Sequence, residues 1–141
     1  MKTLKAKAIL IDLDGTLVHS APEITHAANA TLMALGFSAQ TLTQVTGFIG
    51  DGALSLITKC LQVALNAPPN DGLIAQAKTL FFALYSEVLT QSQPYAGAVE
   101  SIINLHHAGF KLAYITNKPI VFTAPLLRKI GLTPYLHIVV C

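Results

Sequence analysis

Residues 8–17, Ala-Ile-Leu-Ile-Asp-Leu-Asp-Gly-Thr-Leu, set an apolar run directly against two carboxylates separated by one residue. A short apolar run bounded by a turn signal reads as a buried strand. Residues i and i+2 of an extended chain point the same way, so Asp12 and Asp14 converge only if the backbone stays extended through Leu13. Gly15 then lets the chain turn sharply. Two acids within reach repel unless a cation lies between them or one carries a proton. Mg²⁺ takes such hard oxygens, one or two carboxylates with phosphate and water completing the shell. Taken without its neighbours, the stretch is equally a strand running into a solvated Asp-Gly turn.

Two further runs, residues 110–115 and 136–140, share the character of residues 7–12. None alternates strictly, the pattern of parallel strands covered by helices on both faces. Between the second and third runs, a helical stretch at about residues 119–130 closes at Gly131, with Pro134 beyond. This strand–helix–strand unit implies a right-handed crossover and a parallel pair. A helix at about residues 97–108 ends at Gly109 and feeds the second strand.

Residues 19–92 hold four helical segments and no strand signal. Ser20 and Glu23 have capping-box spacing and start a helix that stops at Gly36. Ser38 is placed to cap a short helix to about Thr46, after which Gly47, Gly50 and Gly52 make a loose connection. Residues 53–65 set Leu54, Ile57, Leu61 and Leu65 on one helical face. Pro68-Pro69-Asn70-Asp71-Gly72 breaks that pattern, and Leu73, Ala77, Leu80, Phe81, Leu84 and Val88 then follow helical spacing for about five turns. Antiparallel helices joined by short loops read as a small bundle. The expected organisation is a core of residues 1–18 and 93–141 with a helical cap of residues 19–92 inserted into it.

Composition excludes several classes. With 52% apolar and 11% charged residues, the 141-residue chain is too apolar for a disordered protein and long enough for a packed core. Nine scattered Lys and Arg and a formal charge of +2 give no nucleic-acid footprint. The three lysines of residues 1–7 precede an apolar run that Asp12 cuts short, below the ~7–15 residues of a secretory core. No run approaches the ~20 residues that span a bilayer, so no membrane partner is expected. Cys60 and Cys141 lack metal-ligand spacing, which points to a reduced, cytoplasmic setting.

A second candidate site is Thr116-Asn117-Lys118-Pro119, where the second strand ends and a helix begins. Open α/β sheets bind ligands at the carboxyl ends of their strands. The Thr hydroxyl, the Asn amide and the free N–H groups of a helix start all suit phosphate oxygens. Pro119 fits the first helical turn, where its missing N–H costs nothing.

The strand Ile-Leu-Ile-Asp-Leu-Asp-Gly-Thr-Leu, the helical insert and Tyr-Ile-Thr-Asn-Lys-Pro together resemble the haloacid dehalogenase (HAD) superfamily. Asp-Gly-Thr-Leu-Val-x-Ser-Ala-Pro-Glu, Phe-Ile-Gly-Asp-Gly-Ala and Pro-Tyr-x-Gly are similar to its phosphoglycolate phosphatase branch. The resemblance runs the length of the chain and implies a HAD-like, doubly wound Rossmannoid α/β sheet with a mobile helical cap. It implies a Mg²⁺-dependent phosphatase acting on a small phosphorylated metabolite such as 2-phosphoglycolate. Asp12 would be the nucleophile that forms an aspartyl-phosphate, and Asp14 the acid that protonates the leaving alcohol and then activates water. The Asp12 carboxylate and the Asp14 main-chain carbonyl would ligate the metal. Thr116 would hold the transferring phosphoryl with Asn117 nearby, and the Gly47–Gly52 loop, with Gly50, Asp51 and Gly52, would face the substrate.

The family pattern continues with a Lys that steadies nucleophile and phosphate and with an acidic strand end completing the metal site. Residues 101–141 contain no Asp or Glu, and neither Lys118 nor Lys129 stands in the setting of that Lys. The resemblance thus implies the N-terminal portion of a longer enzyme whose first strand has an open edge, available to strand pairing or homo-oligomer formation. Thr46 stands where relatives often carry a basic residue, and His19 where they often carry an acid, which leaves the substrate contacts open. Alternatives are a phosphosugar mutase of the same superfamily, a receiver-like module phosphorylated on Asp, and a non-catalytic fragment that needs a partner chain.

Overall fold

The computed structural model describes residues 6–141, the Thr90 side chain excepted. The Lys-rich start, residues 1–5, lies outside the described residues. In chain order the elements are β1 (Ala8–Ile11), β2 (Val18–His19), α1 (Ala21–Ala34), α2 (Leu42–Thr46), α3 (Ala53–Leu65) and α4 (Asp71–Val88). They continue with β3 (Gln93–Pro94), α5 (Ala98–His107), β4 (Lys111–Ile115), α6 (Ile120–Lys129) and β5 (Ile138–Val140). Short 3₁₀ turns at Leu89–Gln91 and Thr133–Tyr135 finish α4 and lead into β5.

Strands β1, β4 and β5 form one parallel sheet in that order, with Leu10 beside Ala113 and Ala113 beside Ile138. The three apolar runs are therefore its three strands. At the start of the β4–β5 pair the Leu112 N–H donates to His137 Nδ1 (3.2 Å), while the His137 N–H donates to the Leu112 carbonyl (2.9 Å). Burial along the strands departs from the expectation of cover on both faces. Leu112 and Tyr114 are sealed, whereas Leu10, Ile115, Ile138 and Val140 on the opposite face are exposed. The strand order supplies the reason. The chain steps in one direction twice, from β1 to β4 and from β4 to β5, and two right-handed crossovers in one direction lay α5 and α6 on the same face.

Helices α1 to α4 pack on one another between β1 and β4. A two-residue antiparallel ladder, Val18 with Pro94 and His19 with Gln93, joins the chain's entry to and exit from this insert. Residue 19 is thus a strand residue rather than part of the helical stretch, and His19 Nδ1 lies 3.2 Å from the Tyr95 hydroxyl.

Two caps differ from the sequence reading. Ser20 is the N-cap of α1 but its side chain makes no capping bond; Ser20 and Glu23 are both buried, so Glu23 points inward instead of reaching back to the helix start. The cap of α2 is Thr41, not Ser38. Thr41 Oγ1 accepts from the Gln44 N–H (3.2 Å) and Gln44 Oε1 accepts from the Thr41 N–H (3.0 Å), a full Thr-x-x-Gln box.

The buried face of α3 is also rotated from the expected one. Leu56, Ile57, Cys60 and Leu61 are sealed, while Leu54 is 51% exposed and Leu65 38%. The helix packs against both α1 and α4, and the face turned to them is the one buried. On α4, Ala77, Phe81 and Tyr85 form the buried stripe. Leu61→Ala is expected to lower unfolding free energy by about 2–5 kcal/mol and Leu54→Ala by less than about 0.5 kcal/mol, read from urea denaturation monitored by circular dichroism.

Candidate active site

The chain leaves β1 extended and then winds around one carbonyl. Leu13 is fully buried, and its C=O accepts from the N–H groups of Thr16 (3.3 Å), Leu17 (3.0 Å) and Val18 (3.1 Å). The Gly15 N–H donates to the Val18 carbonyl (2.9 Å), a turn that needs the positive φ of Gly15, 79°. With Leu13 anchored inward, Asp12 and Asp14 flank it and both line one cavity of about 80 Å³. Thr16 Oγ1 donates to Asp12 Oδ2 at 3.4 Å.

The end of β4 supplies the opposite wall through Thr116, Asn117 and Lys118. Thr116 is buried, and its Oγ1 accepts from the Lys118 N–H (3.1 Å), which leaves the hydroxyl proton to be donated. Pro119 is the N-cap of α6, and Thr123 Oγ1 donates back to the Lys118 carbonyl (3.1 Å). Asn117 Nδ2 donates to the Gly50 carbonyl at 2.7 Å, so one of its amide protons crosses to the insert.

Gly50 and Gly52 line the cavity; Gly47 and Asp51 do not. Asp51 instead pairs with Lys59 at 2.7 Å on the exposed side of α3. That hydrogen bond and charge hold the Asp51 carboxyl below its ordinary range. Gly52 approaches the strand end closely: a Cβ there would stand 3.3 Å from the Asn117 carbonyl, at a φ of 88°. The loop glycines therefore let the insert touch the end of β4.

Two side chains to which the sequence reading gave no role meet in this cavity. Lys118 is buried, and its Nζ donates to Asp14 Oδ1 (3.0 Å) and to the Tyr85 hydroxyl. Tyr85, from α4, stacks on Phe81 (5.4 Å between centroids) and meets Phe122 of α6 edge-on (5.0 Å). Lys118, part of the second candidate stretch, therefore lines the cavity with its ammonium set against Asp14 rather than Asp12. Its signal was its position directly after Thr116-Asn117 at a strand end; for Tyr85 it was a polar tip on the stripe of Ala77 and Phe81. Burial, aided by the charges of Asp14 and Glu23, holds the Tyr85 phenol well above its ordinary pKa, so it stays protonated.

Glu23, also buried, borders this cluster. Desolvation pushes its carboxyl up to about 7, opposed by its own backbone hydrogen bond and by the Lys118 charge. The metal implied by the sequence can be judged from the donor set. The Asp12 carboxylate is exposed, and the Asp14 carbonyl takes none of the turn's backbone hydrogen bonds. Both are hard oxygens of the kind Mg²⁺ binds. Among the described residues no group of three His, Cys, Asp or Glu side chains is arranged to hold a metal.

The model of the haloacid dehalogenase-like hydrolases matches residues 6–141. The chain belongs to this family. It is 37% identical over 137 residues to the phosphoglycolate phosphatase of Thiobacillus denitrificans, covering 96% of this chain and 60% of that protein. It is 38% identical over 138 residues to that of Nitrosospira multiformis, covering 97% and 61%. The crystal structure of a predicted phosphoglycolate phosphatase from Haemophilus somnus 129pt superposes with a TM-score of 0.91 at 27% identity, over 99% of this chain and 64% of that one. The chain thus spans about 60% of the length of the curated relatives it matches. The fold is the HAD-like α/β fold, and among the described residues no helix is long and apolar enough to cross a membrane.

The raised Glu23 carboxyl has a signed consequence. A group whose folded pKa lies above its unfolded value of 4.5 gives stability that is complete below 4.5 and lost as pH rises through about 7. Glu23→Gln is expected to raise stability above pH 7 by about 1–3 kcal/mol and to flatten the pH dependence between those values, read from thermal melts across pH 4–8.

Proposed function

We propose that this chain carries the chemistry of a Mg²⁺-dependent phosphomonoesterase working through Asp12. The observation that carries the reading is the convergence of Asp12, Asp14 and Thr116 on one cavity, within a family of hydrolases. Asp12, exposed and oriented by Thr16, attacks phosphorus and forms an aspartyl-phosphate as the alkoxide departs. Asp14 in its protonated form gives that alkoxide its proton and then, as the carboxylate that pairs with Lys118, takes one from the water that cleaves the phospho-enzyme. Thr116 donates its hydroxyl proton to a phosphoryl oxygen, and N–H groups at the start of α6 can add to this hold. The Asp12 carboxylate and the Asp14 carbonyl would hold Mg²⁺, which when bound neutralises phosphate charge.

Residues 19–92 act as a cap over a core of residues 1–18 and 93–141, closing through the Asn117–Gly50 and Lys118–Tyr85 bonds to exclude water. A cavity of about 80 Å³ holds roughly five to eight water-sized groups, so the substrate is a small ester. 2-Phosphoglycolate, named by the relatives' own activity, is the first to test. Two free cysteines, Cys60 buried with its thiol pushed up to about 11, suit a reduced cytoplasm.

The test is phosphate release from 2-phosphoglycolate with Mg²⁺. Asp12→Asn should lower the rate by at least about 10³-fold, and a chelator should stop it. Release unaffected by Asp12→Asn, or none from the unsubstituted chain, overturns catalysis by these residues.

A further inference from the structure

Three imidazoles meet at the end of the sheet away from Asp12 and Thr116. His106 and His107 finish α5, and His137 leads directly into β5. The His106 ring lies 5.9 Å from that of His137, 6.1 Å from that of His107 and 5.4 Å from that of Tyr135, between centroids. The phosphatase reading uses none of them. The other charged groups at this end are Arg128 and Lys129 in the last turn of α6, and Lys7 and Lys111 at the starts of β1 and β4. Arg128 and His137 share the lining of a cavity of about 240 Å³ between α6 and β5, which gives the strand room to shift. Residues 101–141 contain no Asp or Glu, and Glu100 lies in the first turn of α5, at that helix's other end.

His137 fastens β5 to β4 by two bonds. Its N–H donates to the Leu112 carbonyl (2.9 Å), and its Nδ1 accepts the Leu112 N–H (3.2 Å). An imidazole nitrogen accepts only with a free lone pair, so this bond assigns the ring proton to Nε2. Leu112 is fully buried, and a buried N–H without an acceptor is destabilising. A proton taken up at Nδ1 turns that acceptor into a donor facing a donor. The same proton suits His106 Nδ1, which is buried and has no partner, across the 5.9 Å between the rings. The carbonyl end of α5 beside it favours positive charge. The imidazolium thus has a second place to go.

The far end of β5 carries the consequence to the candidate site. The Val140 carbonyl accepts the Thr116 N–H (3.0 Å), so the residue that would hold the phosphoryl group is itself held by β5. Among the described residues β5 pairs with β4 alone, over Ile138–Val140. We propose that His137 is an acid-sensitive clip: a proton at its Nδ1 frees the start of β5 from Leu112, turns the ring to His106, and loosens Thr116 through Val140. The clip stands apart from the phosphatase reading, and its effect on phosphate binding rests on that reading. Glu23 does not mimic it, because its contribution to stability is complete on the acid side.

The test is residue-resolved amide hydrogen exchange, read by NMR at about pH 7.5 and about pH 5.5, across which imidazoles gain a proton. His137→Asn keeps an acceptor for the Leu112 N–H but takes up no proton, and comparison at equal pH cancels the intrinsic exchange rate. At the higher pH the two chains should match. At the lower pH the unsubstituted chain should lose protection at Leu112 and Thr116 by about fivefold or more relative to His137→Asn, with the α1 amides as an unaffected reference. His106→Phe, which removes the receiving acceptor, should shift the onset to lower pH. In the unsubstituted chain, ¹⁵N shifts of the neutral His137 ring should place its proton on Nε2, a readout that needs no variant. A proton on Nδ1 at the higher pH, equal protection in both chains at the lower, or loss at Leu112 without loss at Thr116 would overturn the clip. So would parallel loss throughout α1, or an onset in His106→Phe that is unchanged or higher. None of these readouts needs turnover, so an absence of phosphate release overturns the phosphatase reading alone.

Discussion

A buried ammonium with two partners ties this molecule together. Lys118 comes from the end of β4, Asp14 from the turn after β1, and Tyr85 from the last helix of the insert. Removing an ammonium from water is costly unless a charge and hydrogen bonds replace the solvent. Deleting one member of such a pair leaves the other uncompensated, an effect of about 3–5 kcal/mol when burial is complete. The two strand ends and α4 are thus held in mutual register by electrostatics as well as by packing. The Phe81, Tyr85 and Phe122 rings complete the contact on its apolar side.

The loops around this pair have little freedom. Leu13 inside the core and three N–H groups on its carbonyl hold Asp12 and Asp14 apart from each other yet toward one cavity. On the far side, the close approach of Gly52 to the Asn117 carbonyl and its positive φ disfavour a side chain, and the Asn117 amide closes the gap to Gly50. The same amide that was expected near phosphate therefore has one proton engaged by the insert. Its second amide proton remains to be donated, the one that the proposed phosphate contact would use.

The sheet shows a different kind of constraint. Its strand order puts α5 and α6 on one face, and a row of Leu10, Ala113 and Ile138 lies on the other. Apolar rows on a parallel sheet are ordinarily covered. The chain spans about 60% of the length of the curated relatives it matches.

Much of this was legible in residue order. The three strands, the helical insert and the Asp12–Asp14 and Thr116–Asn117 strand ends follow from short apolar runs, period 3.6 and turn chemistry, and such patterns are properties of neighbouring residues. The errors arose where several candidates satisfied the same local rule. Ser20-x-x-Glu23 and Thr41-x-x-Gln44 have the same spacing, but burial draws Glu23 inward and leaves only the second box formed. The face of α3 was decided by two neighbouring helices, and the uncovered sheet face by the direction of successive crossovers. Lys118 and Tyr85 stand thirty-three positions apart, and Lys118 and Asp14 one hundred and four. What the sequence determined by itself is the three strands of the parallel sheet, the helices and the two carboxylates. Only the tertiary structure decided which cation meets which acid, because charge pairing across such separations depends on how the chain is folded back and not on spacing along it.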